Sequence, residues 1–331
     1  MPRFVTAAVT EIIQERRGLQ RVATDAGRAY VLVDLIGPVE IGDRVVLNTT
    51  AVDLGLGTGG WHVVHWNLAR DEWSQPGRGH IMKLRYTSLQ ADTGADEELH
   101  PDLPSSLDGT PVVACSLHSQ VGVVVAVVRE LRPSAHIAYV MTDGAALPLA
   151  LSDLVRDLRD RGVLDTTISA GHAFGGDMEA VSVPSALVLA RRVALADVIV
   201  VGMGPGVVGT GSALGTTAVE VAAVVDVVDA LGGQPAICVR ASDADPRERH
   251  HGISHHTETI LQLARTRPAV PLPAALAADV PGAVVVEPPD VAAVLDDMAL
   301  RLTSMGRGPR DDPAFFAAAG AAGAWAAALL T

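Results

Sequence analysis

The sequence predicts an α/β fold: a doubly wound, mostly parallel, Rossmann-like sheet over residues 109–331, preceded by a small β-barrel-like N-terminal domain over residues 1–108. Three observations carry that prediction. Short β-branched runs broken by glycine crowd the first fifty residues, strand-like and helix-like stretches alternate from Pro111 onward, and aromatics are only 3% of a chain that is 49% hydrophobic. A core of small side chains suits helices laid closely on a parallel sheet.

In the N-terminal part, Phe4-Val5-Thr6, Tyr30-Val31-Leu32-Val33 and Arg44-Val45-Val46-Leu47 are separated by Gly18, Asp25-Ala26-Gly27 and Gly37-Pro38. Strands this short, met in succession, make a small antiparallel barrel or sandwich. Leu54 to Gly60 is glycine-rich and is read either as part of a ligand floor or as a mobile hairpin. The strand after it alternates, with Trp61, Val63 and His65 on one face and His62, Val64 and Trp66 on the other. Lys83 and Arg85 form a compact basic strand. Between Ala91 and Thr110 the chain turns acidic and proline-bearing, which places the domain boundary there.

The α/β part begins with the buried strand Val112 to Cys115 and a helix from Val121 to Leu131. The second strand is His136 to Met141, followed by a helix opened by Pro148 and stopped by Gly162. Thr166 to Ala170 is the third strand, and Ser182 with Pro184 starts the next helix. Val198 to Val201 is the fourth strand, whose helix is predicted to open with a capping box at Thr217 and Glu220. Ala236 to Val239 is a fifth strand, a helix follows Ser254, and Ala283 to Val286 is a candidate sixth strand. Repeated units of this kind require right-handed crossovers and helices on both faces.

Bulk composition excludes several functions. A formal net charge of −13 repels nucleic-acid backbones and anionic lipid, so neither nucleic acid nor membrane is an expected partner. Two cysteines, Cys115 and Cys238, without Cys-x-x-Cys spacing, fit a reducing cytoplasm and a place in the core. Ala314 to Leu330 is uncharged but mostly alanine and glycine, too weakly apolar to insert in a bilayer. It is expected to be buried or to pack between subunits, and the second choice implies a homo-oligomer.

In open α/β sheets, ligands bind beyond the carboxyl ends of the strands. The segments leaving those predicted ends are unusually reactive. The first gives Ser116, His118, Ser119 and Gln120; the second gives Asp143; the third gives His172 and Asp177. The fourth opens into Gly202 to Gly211. Its Gly204-x-Gly206-x-x-Gly209 spacing formally matches a dinucleotide fingerprint, but the predicted helix start lies too far downstream, and no lysine makes it a P-loop. A long loop of small residues remains, with Gly204, Gly206, Gly209, Thr210, Gly211 and Ser212 suited to wrapping an anion with backbone N–H groups. Tight packing is its structural alternative.

The fifth strand end gives Arg240 and then Arg247, Arg249, His250, His251, His255 and His256. Imidazoles with nearby carboxylates suit Zn, Mn or Fe, and His250, His251, His255 and His256 are the candidate metal ligands. Metal-free acid or base chemistry by histidine, with arginines clamping an anion, is equally open. So is a purely structural role in loop capping. A triad of Ser116, His118 and Asp143 is disfavoured, since no nucleophile elbow is present.

The motifs His80 to Tyr86, Ser116 to Gln120, Gly171 to Asp177, Met203 to Gly211 and Arg249 to Thr257 resemble those of bacterial domain-of-unknown-function family 3866. Met305 to Gly308 and Phe315 to Ala318 extend the resemblance over essentially the whole chain. It implies a cytosolic bacterial protein, and no catalytic role is carried over with it. The expected function is an enzyme acting on a small anionic metabolite, such as a phosphorylated one, by metal-assisted hydrolysis or phosphoryl transfer. His118, Asp143, His172, Asp177, His251 and His255 are the candidate catalytic groups; Ser116, Ser119, Gln120, Arg240, Arg249 and the loop residues are the candidate binding groups. A non-catalytic ligand sensor and an oligomeric scaffold are the alternatives.

Overall fold

The structure is a computed structural model and describes residues 1–330. The chain divides into two compact units, residues 1–94 and residues 95–330. The division falls inside the acidic stretch noted above. Asp96 accepts the Glu179 N–H at 2.7 Å and Glu97 accepts the Val181 N–H at 2.8 Å, so the segment just after it belongs with the α/β unit.

The first unit is a closed five-stranded barrel: β1 (Phe4–Arg16), β2 (Leu19–Thr24), β3 (Gly27–Leu32), β4 (Arg44–Asn48) and β5 (Trp61–Asn67), in the order β1-β2-β3-β5-β4. All neighbours are antiparallel except β3 and β5. Closure is possible because β1 is long and irregular: its register with β2 shifts between Val9 and Glu11 and again between Ile12 and Gln14. Such bulges bend a strand and let it serve two partners. Alternation then fills the interior with Ala7, Val9, Val22, Val31, Leu47 and Val64. His62 and Val64, predicted to share a face, are both buried, while Trp61 stacks on Tyr30 at 4.9 Å. Residues 54–60 lie in the connection between β4 and β5, and Lys83 is buried.

The second unit contains β6 (Pro111–Cys115), α1 (His118–Leu131), β7 (Ile137–Thr142), α2 (Asp153–Asp160), β8 (Thr166–Ala170), β9 (Met178–Ala180), α3 (Val183–Arg192) and β10 (Val198–Met203). It continues with α4 (Glu220–Ala230), β11 (Gln234–Cys238), α5 (His255–Leu263), α6 (Val291–Asp297) and α7 (Pro313–Ala328). The six strands form one parallel sheet in the order β9-β8-β7-β10-β6-β11.

Because successive side chains alternate, each strand feeds two cores. Val113, Cys115, Tyr139 and Val200 pack with α1, α2, α6 and α7 on one face. Val112, Ala114, Val140 and Ile199 pack with α3 and α4 on the other. β10 is inserted between β7 and β6, so the connections leaving β6 and β10 diverge there. That divergence opens a crevice at their carboxyl ends.

Two expectations change. Val284–Val285 is not the sixth sheet strand; it pairs with Pro271–Leu272 in a separate ladder, and the sixth strand is β9. Three residues are too short to leave a pattern, so β9 was not legible. The helix after β10 begins with a 3₁₀ turn at Thr217–Val219 capped by the Thr216 hydroxyl, and Glu220 accepts the Thr142 hydroxyl at 2.6 Å instead of closing a capping box. Of the two readings of the terminal helix, burial holds: α7 is buried inside its own unit, hydrophobic on every side because it is covered on every side. No helix among the described residues is long and apolar enough to cross a membrane.

Candidate functional site

A cavity of about 490 Å³ opens at the carboxyl ends of β10, β6 and β11. Its walls come from five places. The start of α1 supplies Leu117, His118 and Ser119, and the first turns of α2 supply Asp153, Leu154 and Asp157. The loop after β10 supplies Pro205 to Gly209 and Gly211, and residues 300–305 close one side. The arm after β11 supplies Arg240, Arg247, Arg249, His250 and His256. α2 follows β7 and Arg240 follows β11, so these two walls spring from strands three places, or about 14 Å, apart at 4.7–4.9 Å per strand.

The arm is built to hold its arginines. Asp245, its carboxylate 1% exposed, accepts Arg247 Nε at 2.9 Å and Nη2 at 2.7 Å, with Arg240 at 3.5 Å and Arg307 at 3.6 Å. These partners, Arg247 first, hold the Asp245 carboxyl well below the usual carboxylate range. Asp312, also buried, accepts the Ser242 hydroxyl at 2.6 Å and Arg307 Nε at 3.0 Å. Burial and the neighbouring cations lower Arg240 to about 10, still charged at neutral pH. Arg249 has no hydrogen bond or ion pair among the described residues and lies over Gly211, where a Cβ would meet its guanidinium carbon at 3.7 Å. Four arginines thus face two buried carboxylates, a local positive excess in an acidic chain.

The histidines follow from local chain geometry. The Ser254 hydroxyl accepts the His256 N–H at 3.2 Å and starts α5, so His255 and His256 occupy its first turn. Gly252, at φ 66°, turns the preceding segment back, and Gly252–Ile253 pairs with Ala241–Ser242. His250 is thereby brought onto His255 and His256, with ring centroids 5.0 and 4.9 Å away; the other two lie 4.4 Å apart. Burial, reinforced by Arg240, lowers His250 to about 3 and His256 to about 4, and burial followed by Arg249 lowers His255. All three imidazoles are neutral at pH 7.

His118 is engaged at both ring nitrogens. Nδ1 faces the Met203 carbonyl at 3.1 Å, an acceptor only, so Nδ1 carries the proton; Nε2 then accepts the Ser152 hydroxyl at 2.7 Å. Burial lowers this histidine to about 4. It ties α1, β10 and α2 together and lines the cavity.

Of the residues picked out from sequence, His118, Ser119, Gly206, Gly209, Gly211, Arg240, Arg249, His250 and His256 line the cavity, and His255 abuts it through its histidine neighbours. Others lie elsewhere, each for a physical reason. Gln120 is fully buried and saturated: its oxygen accepts from Leu117 N–H and the Ser116 hydroxyl, and its nitrogen donates to the Cys238 and Val239 carbonyls. Ser116 is buried with it. Gly204 is a packing glycine, since a Cβ there would meet the Ala146 carbonyl oxygen at 2.5 Å. Thr210 and Ser212 bond each other at 2.9 Å where the loop folds back on Gly215.

Asp143 accepts the His172 N–H at 2.9 Å, and both stand away from the cavity beyond β7 and β8. Asp177 sits at the opposite edge of the sheet. Because β9 runs parallel to β8, residues 171–177 must return to the amino end, where Asp177 accepts the Thr167 N–H and hydroxyl at 3.0 Å each and pairs with Arg159. His251 is exposed and stands outside the histidine trio. Arg247, offered from sequence as an anion clamp, is a wall residue; sequence reasoning missed Asp245 as its support and Arg307 beside it. Asp245 and Arg247, two apart beside Arg240, were the available signal.

The family described as Protein of unknown function (DUF3866) matches residues 28–323. The chain belongs to this family. The match spans β3 to most of α7, and so includes every wall of the cavity. No curated protein and no solved structure matches the chain.

Proposed function

We propose that the α/β unit binds a small anionic metabolite, a phosphorylated one by preference, in the cavity at the strand carboxyl ends and acts on it by hydrolysis or phosphoryl transfer. One observation carries this: Arg240, Arg247 and Arg249 converge on one cavity, against a glycine loop, in a chain of net charge −13. Guanidinium groups fixed by buried carboxylates bind phosphate oxygens without first having to be ordered. The all-parallel sheet with cores on both faces supports treating this as a doubly wound, Rossmann-like crevice. Two free buried cysteines accord with a bacterial cytoplasm as the compartment.

The test is thermal denaturation at constant ionic strength with inorganic phosphate, pyrophosphate and sugar phosphates, followed by assay of phosphate release. Ligand at 100 times its Kd stabilises by about 2.7 kcal/mol. Arg249→Ala removes most of that gain with little change in unliganded stability. Equal response to phosphate and chloride would sink the proposal. Binding without turnover is the second reading, favoured by the engagement of both His118 nitrogens; stabilisation without phosphate release from any ester supports it.

A further inference from the structure

We propose that His250, His255 and His256 form a three-histidine site for a divalent transition metal in the wall of the cavity. The three side chains each offer one ring nitrogen, all within 4.8 Å of one another. A metal bound by imidazole sits about 2.0–2.1 Å from each nitrogen. With the ring centre a little over 1 Å further out, three rings converging at tetrahedral angles lie about 5 Å apart. The observed centroid separations, 5.0, 4.9 and 4.4 Å, match that spacing.

Two further observations point to a ligand. His255 Nε2 is buried with no hydrogen-bond partner, a state that a native fold rarely leaves unanswered. His250 Nδ1 is held by the Ser254 hydroxyl at 2.8 Å, which fixes the ring and leaves Nε2 for a metal. Three imidazoles without a carboxylate or thiolate suit zinc, cobalt, nickel or copper, and disfavour the oxygen-seeking manganese, magnesium and calcium. Three protein ligands leave a tetrahedral position open, and His250 and His256 are cavity wall residues, so an oxygen of a bound anion or a water completes the set.

One contact opposes the metal and supplies a signature. Arg240 Nη1 donates to His256 Nδ1 at 3.3 Å, which places the remaining ring proton on Nε2. Coordination through Nε2 moves that proton to Nδ1, and the Arg240 contact must open. The released guanidinium is then available to an anion, so zinc tightens phosphate binding.

The experiment uses the full, untagged chain stripped with a chelator, then titrated with Zn²⁺ by calorimetry and with Co²⁺ followed by its visible absorption. One equivalent with the intense bands of tetrahedral or five-coordinate cobalt is expected. His255→Ala and His256→Ala each weaken Zn²⁺ binding by more than about 100-fold, since even the partners that orient a ligand are worth about 10–100-fold. His251→Ala leaves it unchanged. Absence of a stoichiometric site in the wild-type chain, or equal affinity in His251→Ala and His255→Ala, overturns the proposal. The wild-type cobalt spectrum decides even if a histidine variant fails to fold. The proposal stands or falls separately from the anion site, because phosphate is titrated against metal-free wild-type and Arg249→Ala protein.

Discussion

Asp245 is the side chain on which the cavity wall depends. Removing its charge leaves Arg240, Arg247 and Arg307 facing one another without their shared acceptor. Breaking a buried pair of this kind costs about 3–5 kcal/mol. Asp245→Asn is therefore expected to lower the urea midpoint strongly and to weaken phosphate binding, whereas Arg249→Ala affects binding alone. Glu220 gives a prediction of opposite sign. Burial, with Asp143 adding repulsion, raises its carboxyl from 4.5 to about 6. The native state then carries a penalty that is absent below pH 4.5, grows between 4.5 and 6, and is complete above. Glu220→Gln keeps an oxygen for the Thr142 hydroxyl and is expected to stabilise by about 2 kcal/mol at pH 8. Denaturation at pH 4 should show no gain. Arg240 was legible in the sequence because it directly follows a strand, and Arg249 because it adjoins the run of histidines. Arg307 was not, since its link to Asp245 exists only once the chain has folded.

At the scale of elements, the contact of α7 with α1 sets the tolerance of the core. A Cβ at Gly323 would lie 2.8 Å from the Val124 carbonyl oxygen, and helix backbone cannot move aside. Gly323→Ala is expected to cost about 1–3 kcal/mol in chemical denaturation, the range for overpacking. Gly122→Ala should cost less, because the atoms it meets are the tips of Leu154 and Leu302. The pattern of α7, alanine and glycine with no polar face, announced burial but named no partner. Likewise the β-branched runs at 112–115, 137–141 and 198–201 announced strands, and the same signal at Val284 and Val285 could not tell the main sheet from a two-stranded ladder. Asp177 was misplaced by the same limit: only the existence of β9 reveals that its loop runs back to the amino edge.

At the scale of the molecule, residues 1–94 contain ten Arg/Lys and ten Asp/Glu, so the whole net charge of −13 resides in residues 95–331. Self-repulsion of that unit is screened by salt. Its melting temperature is expected to rise between 20 mM and about 0.5 M sodium chloride, where the Debye length falls to a few ångströms. Phosphate at matched ionic strength should raise it further if the cavity binds it. Identical curves in the two salts would leave screening as the whole effect.

The packing of α7 on α1 also has a consequence in time. The two helices are partners in one core, yet roughly 180 residues of chain separate them. Synthesis at about 5–20 residues per second makes that gap roughly 10–40 s. During it, the valines of α1 that α7 will cover, among them Val124 and Val127, lack their cover on the emerging chain. The nascent α/β unit is thus a natural client for chaperones that hold apolar surface until synthesis reaches α7, whereas the barrel unit has every strand it needs within its first seventy residues.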